Sequence, residues 1–391
     1  MRRVYLDNNS TTPLDPRVAA AMRPYLAELF GNPSNLHSFG RECAEGLAEA
    51  REQVARFLNA KPGEVYFTGG GSEADNWAVI GTAFRHEGRG RHIVASPIEH
   101  GAVLESVKYL GGRGFEVSWL KVDGYGLVDP DDVRRALRKD TVLVTVMLAN
   151  NEIGTVEPVR EIAVACRERG VACHTDAVAA AGKIEVDVRA LGVDLLTISG
   201  HKLHAPKGVG ALYIRDGVEI DPLIHGGHQE RGLRAGTENV AGIVGLGRAC
   251  ELAAAEWRED AARMRANRDR LEQGILARVA EVRRNGHPEK RLPNTAHFSV
   301  GYVEGEALLL SLDLEGIALA SGSACSAGEG GPSPTLEAID IPPLFRNSPL
   351  RFSLGRETTA EDVDYTLEVF ERVVSRLRAI SPIWKNRPGP A

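Results

Sequence analysis

A lysine stands just past the end of a predicted strand, in residues 195–202, which read LLTISGHK. Open α/β sheets bind ligands at the carboxyl edge of their strands, so the Lys202 amine would face a binding site there. Lysine does covalent chemistry when its amine forms a Schiff base with an aldehyde such as pyridoxal phosphate (PLP). Most lysines are solvated surface residues, so the other strand ends must decide between the two roles.

Glycine and histidine residues follow two earlier predicted strands. Gly71 and Ser72 lie in a glycine run that opens a helix, where free backbone N–H groups can cradle a phosphate. Ser72 with Asp75 also fits an ordinary helix N-cap, which is the alternative. His100 could stack on a flat cofactor ring and transfer protons, although a structural histidine has the same signature.

Amides and a carboxylate follow two further strands. Asn151 stands in a pair of amides that could bind a ligand or form a turn. Asp176 needs a partner if it is buried, and a protonated pyridine nitrogen would be one; a helix N-cap is the alternative. Asp176 precedes Lys202 by 26 residues, about one strand-helix-strand unit. We therefore expect both side chains at the same edge of one sheet.

The length and composition are those of a globular protein, with 391 residues, 43% hydrophobic and 26% charged. The net charge is −6 and no basic run stands out, so neither nucleic acid nor a membrane is expected as a partner. No apolar run is long enough to span a bilayer, and the first residues lack the apolar core of a signal peptide. These features predict a cytoplasmic protein.

The five cysteines form no CxxC motif and no even framework, so we expect reduced thiols and no metal site. Cys325 differs from the other four because it lies among small residues and glycines that cannot pack a core. An exposed thiol on such a loop is poised to react, whereas a buried thiol is inert. The four others are predicted to be buried: Cys43, Cys166, Cys173 and Cys250.

Alternating strands and helices predict an α/β fold with a largely parallel sheet covered on both faces. The predicted strands are residues 65–68, 92–96, 115–120, 141–149, 171–175, 195–199 and 210–214. A long helix at residues 237–279 leads to strands at 295–300, 317–320 and 350–354. We predict a large domain of residues 15–260 and a small domain of residues 1–14 and 261–391. The small domain would carry the cysteine loop at about residues 321–335.

The set of strand-end motifs resembles the NifS/IscS-type cysteine desulfurases of the class V, fold-type I PLP enzymes, and most of all their NifS-like branch. The resemblance covers nearly the whole chain. It implies a fold-type I transferase with a mainly parallel seven-stranded sheet and a smaller α/β C-terminal domain. Its markers are residues 5–8 (YLDN), 31–34 (GNPS), 99–100 (EH), 149–152 (ANNE), 174–177 (HTDA), 199–208 (SGHKLHAPKG), 226–239 (GGHQERGLRAGTEN), 321–325 (SGSAC) and 351–354 (RFSL).

The resemblance implies roles for individual residues. Lys202 would carry PLP, Asp176 would pair with the ring nitrogen, and His100 would stack on the ring. The active unit would be a homodimer, because Thr237 would reach the PLP phosphate of the partner subunit. The other implied ligands are Gly71, Ser72, Ser199 and His201 for the phosphate, Asn151 for the cofactor and substrate, and Arg351 and Asn35 for the substrate.

The implied reaction converts L-cysteine to L-alanine. The Lys202 amine would move the α-proton, and the Cys325 thiolate, deprotonated with the help of a neighbour such as His100, would attack the substrate sulfur. A persulfide would remain on Cys325 for a sulfur-acceptor protein, such as an iron–sulfur scaffold, in cluster assembly or nitrogen fixation. Two alternatives are a non-catalytic family member acting as a scaffold or regulator, and a related PLP lyase such as a selenocysteine lyase.

The chain departs from the family pattern at two places. Position 179 carries Ala179, where the family has a glutamine that hydrogen-bonds the phenolic oxygen of PLP. An unpaired oxygen there would cost about 1–3 kcal/mol unless a water or Asn151 substitutes. Residues 329–331 read EGG, where the family has a Ser-Leu-Glu-Pro type run, so the contacts of this loop with a partner are expected to differ.

Overall fold

The computed structural model describes residues 2–322 and 333–385. Its strands are β1 Val4–Tyr5, β2 Val65–Thr68, β3 His92–Ala95, β4 Glu116–Trp119, β5 Thr141–Thr145, β6 Ala172–Asp176, β7 Leu195–Ser199, β8 Gly210–Ile214, β9 Val282–Asn285, β10 Thr295–Val300, β11 Ile317–Ala318 and β12 Pro349–Ser353. Its helices are α1 Pro16–Ala27, α2 Ser38–Leu58, α3 Gly71–Asn76, α4 Thr82–Arg85, α5 Gly101–Gly111, α6 Pro130–Ala136, α7 Val159–Arg169, α8 Val188–Leu191, α9 Val240–Arg278, α10 Gly305–Leu314, α11 Pro334–Ala338, α12 Ala360–Ile380 and α13 Pro382–Lys385.

Seven strands form the central sheet in the order β2-β8-β7-β6-β5-β3-β4. Strand β8 runs antiparallel to both of its neighbours, and the other paired strands are parallel. The predicted mainly parallel, seven-stranded sheet is thereby confirmed. Because β3, β5, β6 and β7 are parallel, the residues that follow them meet at one edge of the sheet.

A second core lies on the C-terminal part of the chain. The antiparallel sheet β12-β10-β9 and the parallel pair β1-β11 build it, with Leu6, Phe298 and Phe352 fully buried. Helix α9 is 39 residues long and packs Leu246 into the core of the large sheet and Leu271 into the second core. The division of the chain near residue 260 stays a prediction.

Local signals place several helix ends correctly. Asp15 caps α1 by accepting a hydrogen bond from the Arg17 amide, with Pro16 in the first turn, as its sequence predicts. The strand predicted at 141–149 is too long, because β5 ends at Thr145. Residues 146–149 are apolar and buried without being a strand, and an apolar run alone does not separate the two.

Strand β9 is absent from the sequence prediction. Its residues read VRRN and lack the alternation that marks a strand, but their pairing with β10 and the buried Asn285 stabilise it. The four cysteines predicted to be buried are confirmed as buried, free thiols. Within residues 2–322 and 333–385, no helix combines the length and the low polarity that crossing a bilayer requires.

Candidate active site

A cavity of about 530 Å³ opens at the carboxyl edge of the central sheet. It is large enough for a small-molecule ligand. Most of the residues predicted for the site line it, namely Gly71, Ser72, His100, Asn151, Asp176, Ser199, His201, Lys202 and Arg351, together with Ala179 and Lys183. The chain thus brings together side chains from five strand ends and from the N-terminal segment.

Lys202 lies in a short turn, Gly200–Lys202, directly after β7. Its Nζ donates hydrogen bonds to the Ser10 carbonyl oxygen, at 2.7 Å, and to the Asn9 carbonyl oxygen. The N-terminal segment therefore holds the amine at the cavity through two backbone carbonyls.

Asp176 ends β6 and is only 3% exposed. One carboxylate oxygen accepts a hydrogen bond from the Val178 amide at 2.8 Å. Turns follow β6 where a helix would be needed, so the alternative that Asp176 is a helix N-cap is wrong. Burial raises the pKa of Asp176, and a positive charge on His100 or Lys202, whenever either is protonated, opposes that effect. A cationic group placed against the carboxylate would therefore be stabilised, as a protonated ring nitrogen is.

Asp75 stands behind this carboxylate and was missed as a site residue by sequence reasoning. It is 1% exposed, and burial together with the charge of Asp176 raises its pKa well above the usual range. One atom each of Asp75, His100 and Asp176 lie within 4.8 Å of one another. The sequence did contain a signal for Asp75, because this carboxylate stands three residues after Ser72 in the helix that begins at the same sheet edge.

His174 is fully buried in the central sheet, on β6. Burial lowers its pKa to about 3, so the ring is neutral. Its two nitrogens contact the hydroxyls of Thr145, at 2.9 Å, and Thr197, at 3.2 Å. These contacts tie β6 to both neighbouring strands and hold Asp176 in place at the strand end.

The glycine run forms a close cradle. Gly70 has φ +150°, and a Cβ on Gly71 would lie 3.0 Å from Val178 and 3.2 Å from Ser199. Helix α3 begins at Gly71 with Gly70 as N-cap and without a side-chain cap, so the predicted Ser72 N-cap is wrong. A capping side chain would occupy the first-turn N–H groups, which are instead left for an anion.

His100 caps α5, since its Nδ1 accepts a hydrogen bond from the Ala102 amide at 3.1 Å. A neutral imidazole with Nδ1 as acceptor carries its proton on Nε2. The ring is therefore arranged to donate a proton at Nε2, not to accept one there. This geometry argues against the sequence-based expectation that His100 deprotonates the Cys325 thiol.

We expect His100→Ala to lower the free energy of unfolding by about 1 kcal/mol, because the helix loses its cap. His100→Asn removes the ring but supplies a good N-cap, so its stability should match that of the wild type. Denaturant unfolding of the cofactor-free proteins measures the difference. Equal losses in both variants would contradict the capping role.

Arg351 is 2% exposed and lies on β12. Its guanidinium donates to Asp7 at 2.8 Å, to the Ser10 hydroxyl at 2.7 Å and to the Asn151 carbonyl oxygen at 3.1 Å. These bonds set the planar fork at the cavity wall, beside the lysine held by the same N-terminal segment. A fork of this kind suits a carboxylate ligand.

Two of the predicted residues that the structure describes do not line the cavity. Asn35 and Thr237 are exposed, and Thr237 lines a separate depression with Gly69 and Arg234. Cys325 lies outside the described residues. The segments on either side of it reach Glu152: Ser333 donates to its carboxylate at 2.6 Å, and a Cβ on Gly322 would lie 3.1 Å from it.

The donor set fits PLP. Lys202 offers an amine for the aldehyde, the α3 N-terminus with Ser199 and His201 offers donors for a phosphate, and Asp176 offers a buried acid for a ring nitrogen. At position 179 the cavity wall is a methyl group, so no side chain there donates to the ring.

The comparisons with known proteins agree with this geometry. The family model of the class-V aminotransferases matches residues 4–366. The cysteine desulfurase IscS of Dictyoglomus turgidum is 51% identical over 387 residues, which cover 98% of each chain. That of Methanosarcina thermophila is 49% identical over 382 residues, which cover 98% of this chain and 94% of the relative.

A solved structure of a NifS-like protein gives a TM-score of 0.91 at 39% identity, covering 96% of this chain and 100% of that one. This likeness extends over both cores and confirms the fold-type I architecture. The chain belongs to the class-V aminotransferase family and, within it, to the IscS/NifS-like cysteine desulfurases, which are PLP-dependent enzymes.

Proposed function

We propose that this protein is a PLP-dependent cysteine desulfurase that converts L-cysteine to L-alanine and keeps the sulfur as a persulfide on Cys325. The observation that carries the proposal is one cavity lined by the Lys202 amine, the Asp176 carboxylate and the Arg351 guanidinium. When bound, PLP supplies the electron sink that makes the bond between the β-carbon and sulfur cleavable.

The residues divide the remaining work. Lys202 Nζ would hold the cofactor and, as a free amine, would take the α-proton of the substrate. Asp176, from its buried position, would keep the ring nitrogen cationic. His100 would stack on the ring, and it can donate a proton from Nε2. Arg351 and Asn151 orient the substrate at the wall beside the lysine.

The sulfur transfer balances without an external oxidant. The carbon–sulfur bond of cysteine breaks, a sulfur–sulfur bond to Cys325 forms, and the β-carbon gains a proton to become alanine. Gly322, three residues before Cys325, lies against Glu152, the neighbour of Asn151 in the chain. This position supports delivery of the thiol to the cavity.

Arg351→Ala should lower kcat/KM for cysteine by about 10- to 100-fold, mainly through KM, because a charged hydrogen-bonding partner of the substrate is lost. Arg351→Lys keeps the positive charge but lacks the planar fork, so its kcat/KM should lie between those of the wild type and of Arg351→Ala. Steady-state kinetics on proteins matched by thermal unfolding measure this. An unchanged KM in Arg351→Ala would remove Arg351 from substrate binding.

We infer that the active unit is a homodimer in which Thr237 of the partner subunit reaches the phosphate. An exposed apolar patch on the α1–α2 region supports this inference: Leu26, Phe30, Leu36 and Phe39 are 69%, 73%, 90% and 53% exposed. Asn35 lies within the same loop. Patches of this kind mark interaction surfaces, and a second copy would bring Asn35 and Thr237 close to a cavity.

We also infer a cytoplasmic enzyme that passes its persulfide sulfur to an acceptor protein. The four buried, free cysteines suit a reducing compartment. An iron–sulfur scaffold, in general cluster assembly or for nitrogenase, is the acceptor class that the family resemblance implies. Because residues 329–331 differ from the family pattern, we expect the contacts of this chain with its acceptor to differ from those of its relatives.

The decisive test of the function is the absorption spectrum with and without L-cysteine, followed by an alanine assay. We expect a yellow protein whose spectrum changes with cysteine and which releases alanine. A coloured protein that forms no alanine would favour the scaffold alternative. A selenocysteine rate far above the cysteine rate would favour a selenocysteine lyase.

A further inference from the structure

A second lysine, Lys183, is buried beside Lys202. It is 6% exposed and follows β6 in a series of turns, one turn after Ala179. It lines the main cavity, and it also lines a smaller one of about 40 Å³ behind it, as Lys202 does. Among residues 2–322 and 333–385, no hydrogen-bond or ion-pair partner is present for its amine.

The acids around the smaller cavity do not compensate Lys183. Asp15 pairs with Arg17 at 2.8 Å and with Arg356 at 2.5 Å. The two other acids are likewise paired with arginines: Glu256 with Arg17 and Asp260 with Arg263, both at 2.5 Å. A lysine buried without an acid loses its charge readily.

The charge of Lys183 acts on the turn Gly200–Lys202 and on the residues beside it. Burial, followed by the charge of Lys202, lowers the pKa of Lys183 to about 7. Its own charge contributes to the lowered pKa values of His201 and His204, on either side of Lys202. A positive charge on Lys202 therefore disfavours a proton on Lys183, and by reciprocity a charge on Lys183 disfavours a proton on Lys202.

This mutual effect matters because Lys202 can act only as a free base. An amine reacts with an aldehyde, or takes a proton from carbon, when its nitrogen is unprotonated, and a neighbouring cation is one established way to favour that state. Asp176 and His100 lie across the cavity and act on the ring. On the side of Lys202, Arg351 is paired with Asp7, whereas the charge on a protonated Lys183 is offset by no acid among the described residues.

We propose that Lys183 is a positioning residue that sets the protonation state of the Lys202 nitrogen. The inference rests on the proposed function, because it concerns the nitrogen that carries PLP. Ala179 lies one turn before Lys183 and contributes only a methyl group to the cavity wall. Its side chain therefore offers no hydrogen bond that would neutralise or screen the Lys183 amine.

The test is a pH titration of the cofactor absorbance of the holoenzyme without substrate. We expect Lys183→Met to raise the midpoint by about one pH unit, because removing a nearby positive charge favours protonation of the Lys202 nitrogen. Lys183→Arg stays charged at every pH of the titration, so its midpoint should lie at or below that of the wild type. Lys108→Met, on the exposed face of α5, controls for net charge and should change nothing.

Thermal unfolding of the cofactor-free variants gives an independent readout. Lys183→Met replaces an uncompensated buried cation by an apolar chain of similar length, so its Tm should equal or exceed that of the wild type. An unchanged midpoint in Lys183→Met, or equal shifts in the Met and Arg variants, would overturn the proposal. A wild-type protein without a cofactor band would instead overturn the proposed function, and this inference with it.

Discussion

Cys325→Ala protein should remain yellow and lose at least about 10³-fold of its sulfur release, because the nucleophile that accepts the sulfur is gone. In the proposed function Lys202 and the strand ends hold the cofactor, and Cys325 has no part in holding it. The spectrum of the variant should therefore still respond to L-cysteine. Sulfide release in the presence of a reductant measures the loss of sulfur transfer, and the absorbance of the same samples shows whether the cofactor is still bound.

Cys250→Ala is the matched control. Cys250 lies in α9, and burial raises the pKa of its thiol, so it should not act as a nucleophile. Its activity per folded protein should equal that of the wild type. Full activity in Cys325→Ala, or a loss shared by Cys250→Ala, would remove the assigned role from Cys325.

Lys202→Ala is expected to lower alanine formation by at least about 10³-fold, since one residue both carries the cofactor and moves the α-proton. The variant should also lack the covalent lysine–PLP link. Mass spectrometry after borohydride reduction detects that link directly, because reduction turns it into a stable bond.

Lys202→Arg separates chemistry from packing. A guanidinium can still donate to the carbonyl oxygens of Asn9 and Ser10, which hold the lysine in the wild type. It forms no such link with an aldehyde, so this variant should be as inactive as Lys202→Ala but closer to the wild type in stability. A reduced PLP adduct on another residue in wild-type protein would contradict the assignment.

Spacing along the chain was sufficient to predict that Asp176 and Lys202 meet at one edge of the sheet, whereas Ser199, His201 and Arg351 were implied only by the family resemblance. Asp176 ends β6 and Lys202 follows the adjacent parallel strand β7, as a separation of one strand-helix-strand unit requires. The positions of the strands could also be predicted, because each is an apolar run that ends in polar residues. The lengths of the strands could not, as β5 shows, because buried coil and buried strand have the same composition.

Burial could not be predicted in the same way. Lys183 and Asp75 look like ordinary polar residues in the sequence, and only the packing of the turns after β6 and of α3 against β7 makes them buried ionisable groups. The side-chain conformation of His100 was equally out of reach, because its capping of α5 depends on which nitrogen faces the helix. Asn35 and Thr237 were assigned from the family resemblance, and their site roles stay predictions.

The central claim is that one cysteine is converted to one alanine while its sulfur moves to Cys325. A single-turnover reaction of the holoenzyme with isotopically labelled L-cysteine, without reductant, tests it most directly. We predict equal amounts of labelled alanine and of a Cys325-containing peptide heavier by one sulfur atom. Pyruvate in place of alanine, or alanine with the extra sulfur on no cysteine or on another one, would contradict the account.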